Sequence, residues 1–296
     1  MSDATGLESI RYRGWSEHLR PAWLAIWPIA TTGLRLVLRR KLYWLILALG
    51  LFHFLFFFAV IYLKWQIRVE NPGFAQFVDR VLESATGAGK TYRDFLSKQG
   101  LVTMVLLALA GEVLVGGDFQ HGGLTFYLSR RVGRLHYLLG KLLAIGLLVA
   151  MVTTLPALVL YLEYGLLGDG WAYFRDEWRI LLGIFGYGLA MAATLSLLLM
   201  AMAAWLRTTV PMVMGWACVF VLAPALGRLL SVTYHQPRWQ LLALWRDIYL
   251  LGTWCFNALS PKESLLLAPA SWLVLAVAVV SLAAIVPTIR AVKVVA

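Results

Sequence analysis

Six stretches of the chain stay apolar for long enough to cross a bilayer, which takes about 20 mostly apolar residues in a helix. They run over 43–63, 101–117, 136–161, 180–206, 210–230 and 267–289. The second is short and is interrupted by Glu112. The third carries Lys141 near its start and Pro156 inside. Passes four and five are separated by little more than Arg207-Thr208-Thr209, the pattern of a tight hairpin. The intervals 64–100 and 231–266 then become two long loops on one side. Within the second loop, 239–257 is apolar but broken by Arg246, Asp247 and Gly252. That pattern fits a re-entrant or interfacial pair of short helices, whose backbone must be covered by protein or water.

Ahead of pass one, residues 21–41 read PAWLAIWPIATTGLRLVLRRK. Trp23, Ile26, Trp27, Leu34, Leu36, Val37 and Leu38 alternate with polar positions and lead into a basic end. The stretch is too short between charges to span, and its tryptophans and arginines suit an interface, so it predicts an amphipathic helix lying on the membrane surface. Residues 1–20 form a polar tail. No apolar core with a small-residue cleavage site follows them, so a cleaved signal peptide is not expected.

Composition agrees. Hydrophobic residues make up 61% of the 296 and charged residues 14%, against roughly 45–50% and about 25% in soluble domains. The basic residues are unevenly placed. Seven precede pass one: Arg11, Arg13, Arg20, Arg35, Arg39, Arg40 and Lys41. Arg130, Arg131 and Arg134 lie between passes two and three, Arg207 between four and five, and Arg290 and Lys293 after six. Short loops rich in Lys and Arg stay in the cytoplasm, so both termini are expected there, in a multi-pass protein of the cytoplasmic (inner) membrane. The basic excess is read as this topological signal, and no nucleic-acid partner is expected. Cys218 lies in an apolar run and Cys255 in a loop, which implies no disulfide framework.

One stretch suggests nucleotide chemistry. Residues 85–92 read ATGAGKTY and end like a phosphate-binding P-loop. The loop needs G-x-x-x-x-G-K-[ST] between a buried strand and a helix. Ser84 stands where the first glycine belongs, and an amphipathic helical pattern precedes. A Gly/Ala turn on the outer side is the expectation.

The segment between passes two and three is the most informative: DFQHGGLTFYLSRRVGRLHYLLGKLLA over 118–144. Gly116-Gly117 and Gly122-Gly123 break the chain on either side of Asp118. Leu124, Tyr127 and Leu128 then recur at i, i+3, i+4, an apolar stripe, with Arg130, Arg131 and Arg134 at its end. A short amphipathic helix between two passes, apolar on one face and basic at one end, is suited to docking. This stretch resembles the ABC-2 type transporter permeases, which carry E-x-x-x-G-T-L-E-x-L-L-S-R-P-V-S-R-x-x-Y-L-x-G-K at this place. Asp118 takes the leading acid, and Gly122, Leu124, Leu128, Ser129, Arg130, Val132, Arg134, Tyr137, Gly140 and Lys141 fall in register. Thr125 stands where an acid is common and Arg131 replaces the usual proline, which bears on how the helix ends. The motif covers about 24 residues; the rest of the likeness is architectural.

The resemblance implies an all-α membrane protein of six transmembrane helices, with 21–41 as an elbow helix and a cytoplasmic coupling helix between passes two and three. It implies a permease subunit, an exporter in that family's manner, that is not itself an enzyme. This chain would bind no cofactor, and ATP and Mg would sit on a separate cytoplasmic ABC ATPase dimer. Gly122, Gly123, Leu124, Tyr127, Leu128, Ser129, Arg130, Arg131 and Arg134 would dock that partner. A second permease would complete a homodimer or heterodimer among membrane lipids. ATP-driven closure of the ATPase pair would bias a two-state rocking of the passes.

Several residues have plainer readings. The arginines also serve as topological charges. Glu112 is a carboxylate inside a pass, where such groups usually face protein or water; it either pairs and fixes the helix or belongs to a substrate path or switch. His121 and His136, with Asp118 and Glu112, fit no usual metal-ligand spacing. Gly183, Gly186, Gly188, Ala190, Ala192 and Ala193 allow close helix packing, within the chain or at a dimer seam. The alternatives to a permease are a secondary transporter or channel working without an ATPase, and a membrane-embedded enzyme. The first usually shows internal repeats and more intramembrane charge; the second needs convergent polar groups. The scarcity of charge in the passes favours a hydrophobic, lipid-like or drug-like cargo, or a narrow path at a dimer seam.

Overall fold

A computed structural model describes residues 21–70, 73–74, 77, 87–123, 133–168 and 170–290. Among these there is no strand. Six helices are long and apolar enough to cross a membrane: Lys41–Glu70, Gly89–Gln120, Arg134–Leu167, Trp178–Leu206, Thr209–Thr233 and Pro261–Thr288. The chain is an all-α, multi-pass membrane protein. We number these helices passes one to six. They alternate in direction and leave two ends. One, the basic end, carries Arg39–Lys41, Gly117–Gly123 and Arg207. The other, the far end, carries residues 87–88, 168–177 and 234–260.

Passes two and four form the centre, with 61% and 50% of their most apolar windows buried, whereas passes one, five and six are 22%, 17% and 17% buried. Pass two starts at Gly89, well before the apolar run at 101, because its first turns bury Thr91, Tyr92, Arg93, Phe95 and Gln99 against protein. Gln99 spends its amide inside: Nε2 donates to the Gly50 carbonyl of pass one at 2.9 Å, and Oε1 lies 2.8 Å from His53 Nδ1. A polar group kept away from water needs such partners. Pass three bends at Thr153, three residues before Pro156, and Thr153 Oγ1 donates to the Val149 carbonyl at 2.8 Å, which satisfies a group near a helix break.

Close packing explains the small residues of pass four. A Cβ on Gly183 would stand 2.5 Å from Phe256, and one on Gly188 would stand 2.2 Å from Thr154 Oγ1. A Cβ on Gly186 would stand 3.1 Å from Cys255 Sγ. These three glycines serve packing within the chain.

Residues 239–257 form two short helical pieces, a 3-10 turn Pro237–Leu242 and the helix Leu244–Cys255. The helix lies against passes two, four and six at the far end. Trp245 closes over Gly100 so tightly that a Cβ there would meet the ring at 2.1 Å. Near the GKT stretch, Gly89 opens pass two, with Ala88 as its extended N-terminal flank. Tyr173 Oη donates to the Gly87 carbonyl at 2.8 Å and lies 3.2 Å from Tyr92 Oη. Among the described residues no strand enters this turn.

Candidate functional site

The segment 122–134 is described only at its edges. Leu124, Tyr127, Leu128, Ser129, Arg130 and Arg131 lie outside the described residues. Gly122 has φ +69°, a left-handed conformation that glycine adopts without steric cost and that commonly ends a helix. It follows His121, whose backbone N–H bonds to the Gly117 carbonyl at 3.0 Å. Gly123 is half-buried and packs on Asp118, a Cβ there standing 3.3 Å from Oδ1. Arg134 begins pass three after an extended Gly133.

What the structure does describe is the root of that segment. Pass two departs from α-helical geometry over Glu112–Gly116, a π turn. Such a turn widens the helix and loosens its carbonyls from the usual ladder. Lys141 of pass three reaches into it, with Nζ donating to the Leu114 carbonyl at 2.6 Å. The same ammonium lies 2.6 Å from Asp118 Oδ2, and Tyr137 Oη donates to that oxygen at 2.9 Å. Tyr137 and Lys141 are one helical turn apart and share a face. Lys141 is 3% exposed, so the charge is taken from water and compensated by a carboxylate and a carbonyl, as a buried charge requires. Asp118, Tyr137 and Lys141 are three of the positions that match the permease motif; the structure joins them in one knot.

Three further elements close on it. A Cβ on Gly116 would stand 2.5 Å from the Arg207 carbonyl, so the turn between passes four and five rests on the π turn. Arg207 itself has φ +53°, an uncommon conformation for a side-chain-bearing residue. Gly140, between Tyr137 and Lys141, admits the amphipathic helix Ile26–Leu38: a Cβ there would lie 2.8 Å from Ile29. A Cβ on Gly33 of that helix would stand 3.2 Å from Ala144 Cβ. The helix buries Ile29, Ala30, Gly33 and Val37 and leaves Trp23, Trp27 and Leu36 exposed along its length and lead-in. Its exposed aromatic rings and basic end suit a membrane interface.

Glu112 opens the π turn and is half-buried. It stands within electrostatic range of Tyr43, whose hydroxyl donates to the Leu109 carbonyl at 3.0 Å. It is not a member of the Asp118–Lys141 knot. Among the described residues no three His, Cys, Asp or Glu side chains group as metal ligands.

Sequence reasoning missed two parts of this site. Lys141 reads along the chain as a charge near the start of a pass, and only its neighbours across space show it to be buried and paired. The π turn has no residue signature; the nearest signal was the glycine pair 116–117. No protein-family model matches the chain, and no curated protein matches it significantly.

Proposed function

We propose that the chain is the permease subunit of an ATP-driven exporter of the ABC-2 type, in which a separate cytoplasmic ATPase docks on segment 122–134. The observation that carries this reading is the convergence of Asp118, Tyr137, Gly140 and Lys141. These residues match the permease motif in register, and they meet at the root of the proposed coupling segment. A lever that passes force from a docked partner into the membrane needs a rigid root. Here the root ties pass two to pass three through a buried ion pair, to the amphipathic helix through Gly140, and to the turn between passes four and five through Gly116. In this reading the basic end faces the cytoplasm of the inner membrane and both termini lie there. Ile26–Leu38 serves as the elbow helix. A second permease pairs along the sparsely buried passes.

The test is affinity purification of the full-length chain from its native membrane in mild detergent. The expected result is a stoichiometric soluble ABC ATPase that is lost on changing Leu124→Asp and Leu128→Asp while membrane insertion is retained. A clean homo-oligomer without an ATPase would overturn the reading, and Glu112 would become the first residue to test for transport or chemistry of the chain's own.

A further inference from the structure

Between passes two and five, under the far-end helix Leu244–Cys255, lies a cavity of about 510 Å³. Its chemistry is graded along its length. Leu101 and Met104 of pass two and Phe220 and Pro224 of pass five line the part toward the middle of the bundle. Ser97, Arg228, Gln240, Arg246 and Tyr249 line the part toward the far end. The two passes run antiparallel, so this agreement comes from opposite chain directions: pass two goes from polar to apolar as pass five goes from apolar to polar. Ser97 and Met104 are seven residues apart, and Phe220 and Arg228 are eight. At 1.5 Å per residue the wall therefore spans roughly 10–12 Å along the helix axes.

Two features mark this cavity as built for a ligand. Pass five carries a π turn over Cys218–Leu222, with Phe220 in it and Pro224 just beyond, which widens the helix at the cavity's apolar end; such turns recur at functional sites. And at the polar end Arg246 is half-buried and Arg228 exposed, and neither guanidinium has an ion-pair partner among the described residues. Among the described residues no carboxylate lies within ion-pair distance of Arg228 or Arg246. Asp247, turned into the protein and 1% exposed, and Glu263, which accepts hydrogen bonds from Ser260, feel the Arg246 charge without pairing to it, and Asp94, which accepts from Tyr249, is paired with Arg93. The two arginines supply the planar donors that recognise phosphate or carboxylate oxygens, while Gln240 Nε2 donates to Ser231 Oγ at 3.0 Å and Tyr249 Oη to Asp94 Oδ1 at 3.2 Å.

We propose that this cavity binds an amphiphile with an anionic head, its phosphate or carboxylate held by Arg228 and Arg246 and its alkyl chain lying along Leu101, Met104 and Phe220. The volume falls within the range of small-molecule sites and accommodates a head and part of one chain. The site stands independently of the transport reading and needs no ATPase.

The probe is dodecyl phosphate with a diazirine at the tail end, irradiated with the full-length chain in phosphatidylcholine nanodiscs. Label is expected on peptides covering 97–104 and 218–224, displaced by plain dodecyl phosphate and not by dodecanol. Arg228→Ala with Arg246→Ala is expected to cut labelling about tenfold or more, as the loss of charge-assisted bonds implies; the paired lysine variant retains most of it. Equal displacement by dodecanol, or unchanged labelling in the alanine variant, overturns the proposal. Should the alanine variant not purify as a single species, Ser97→Trp decides, since it fills the mouth with both arginines intact: labelling lost supports the site and labelling unchanged overturns it. Native mass spectrometry then separates sources. An anionic phospholipid that stays with the wild type and leaves the variant identifies a bilayer lipid. Dodecyl phosphate labelling without retained lipid identifies a free acidic amphiphile. Either result supports the site.

Discussion

The two ends of the bundle are held by different means. At the basic end one charged knot does most of the joining: Lys141 bridges Asp118 and the Leu114 carbonyl, and glycines let neighbouring backbones close around it. At the far end most joints are aromatic, beside one ion pair between chain neighbours, Arg93 and Asp94 at 2.7 Å, which Tyr249 joins by donating to Asp94 Oδ1 at 3.2 Å. Tyr92, Tyr161, Tyr164, Tyr173 and Phe174 pack ring against ring, with centroids 5.1–6.1 Å apart among the closest pairs, and the Tyr173 and Tyr161 hydroxyls reach the Gly87 and Glu177 carbonyls. Aromatic pairs add fractions of a kcal/mol each and spread the load, whereas a buried ion pair concentrates it, because removing either partner strands the other. The difference teaches where each end tolerates change. The far end can lose a contact and keep its shape; the basic end depends on two side chains.

The largest effect should come from Lys141→Met. It leaves Asp118 partly buried beside an empty position and should lower stability by about 3 kcal/mol, toward the low end of the usual cost because Asp118 keeps some water. Equilibrium unfolding in mixed micelles measures this. Asp118→Leu combined with Lys141→Met should regain a good part of the loss, since an apolar pair replaces an ion pair with little penalty. A single variant as stable as the wild type would remove the contrast between the ends.

Tyr173→Phe is the corresponding cut at the far end. It keeps the ring and removes one hydroxyl, which donates to the Gly87 carbonyl and meets Tyr92 Oη. Burial pushes the Tyr173 hydroxyl pKa up, so it remains a donor throughout the working range. The expected loss is about 1 kcal/mol, seen as faster amide exchange over 87–92. A loss exceeding that of Lys141→Met would invert the comparison.

The last comparison concerns pH, and is read as a slope and not as one variant's loss. Asp247, at the far end and outside the six passes, is 1% exposed, and its Oδ1 has no hydrogen-bond partner among the described residues. Burial pushes its carboxyl pKa up to about 8, against the lowering influence of Arg246. The folded protein therefore holds this proton where the unfolded chain has released it. Stability falls as pH rises from the ordinary value of 3.8 to about 8 and levels beyond. Asp247→Asn should flatten that part of the curve. Thermal unfolding midpoints at pH 5 and pH 8 test it; equal slopes in both proteins would show that the folded protein does not hold this proton.

Hydropathy made the six passes and the hairpin at Arg207 legible, because a bilayer demands long apolar helices whatever their neighbours. It could not show where pass two begins. Thr91, Arg93 and Gln99 count against a membrane segment when read singly, yet they are buried against protein. The glycines of pass four read correctly as close-packing positions, and which partner they meet emerged only in three dimensions. At the candidate site the motif pointed to Asp118, Tyr137 and Lys141 by resemblance, while their direct contact depends on residues 19 and 23 positions apart meeting across two helices. The cavity at Arg228 and Arg246 was the least legible, since neither arginine has a neighbour in sequence that suggests the other.

The π turn at Glu112–Gly116 has one more consequence. It inserts roughly one residue into the winding of pass two, and each residue advances an α-helix by about 100°. The two halves of the pass are therefore out of phase. The half before it presents Gly100 to Trp245, the turn's last residue Gly116 meets Arg207, and the half after it presents Asp118 to Lys141. Read as a clock, the helix is reset once on its way through the bundle. The setting depends on the count of residues between Gly111 and Asp118 more than on their identity, so a one-residue deletion there would swing Asp118 away from Lys141 even with every side chain of the knot retained.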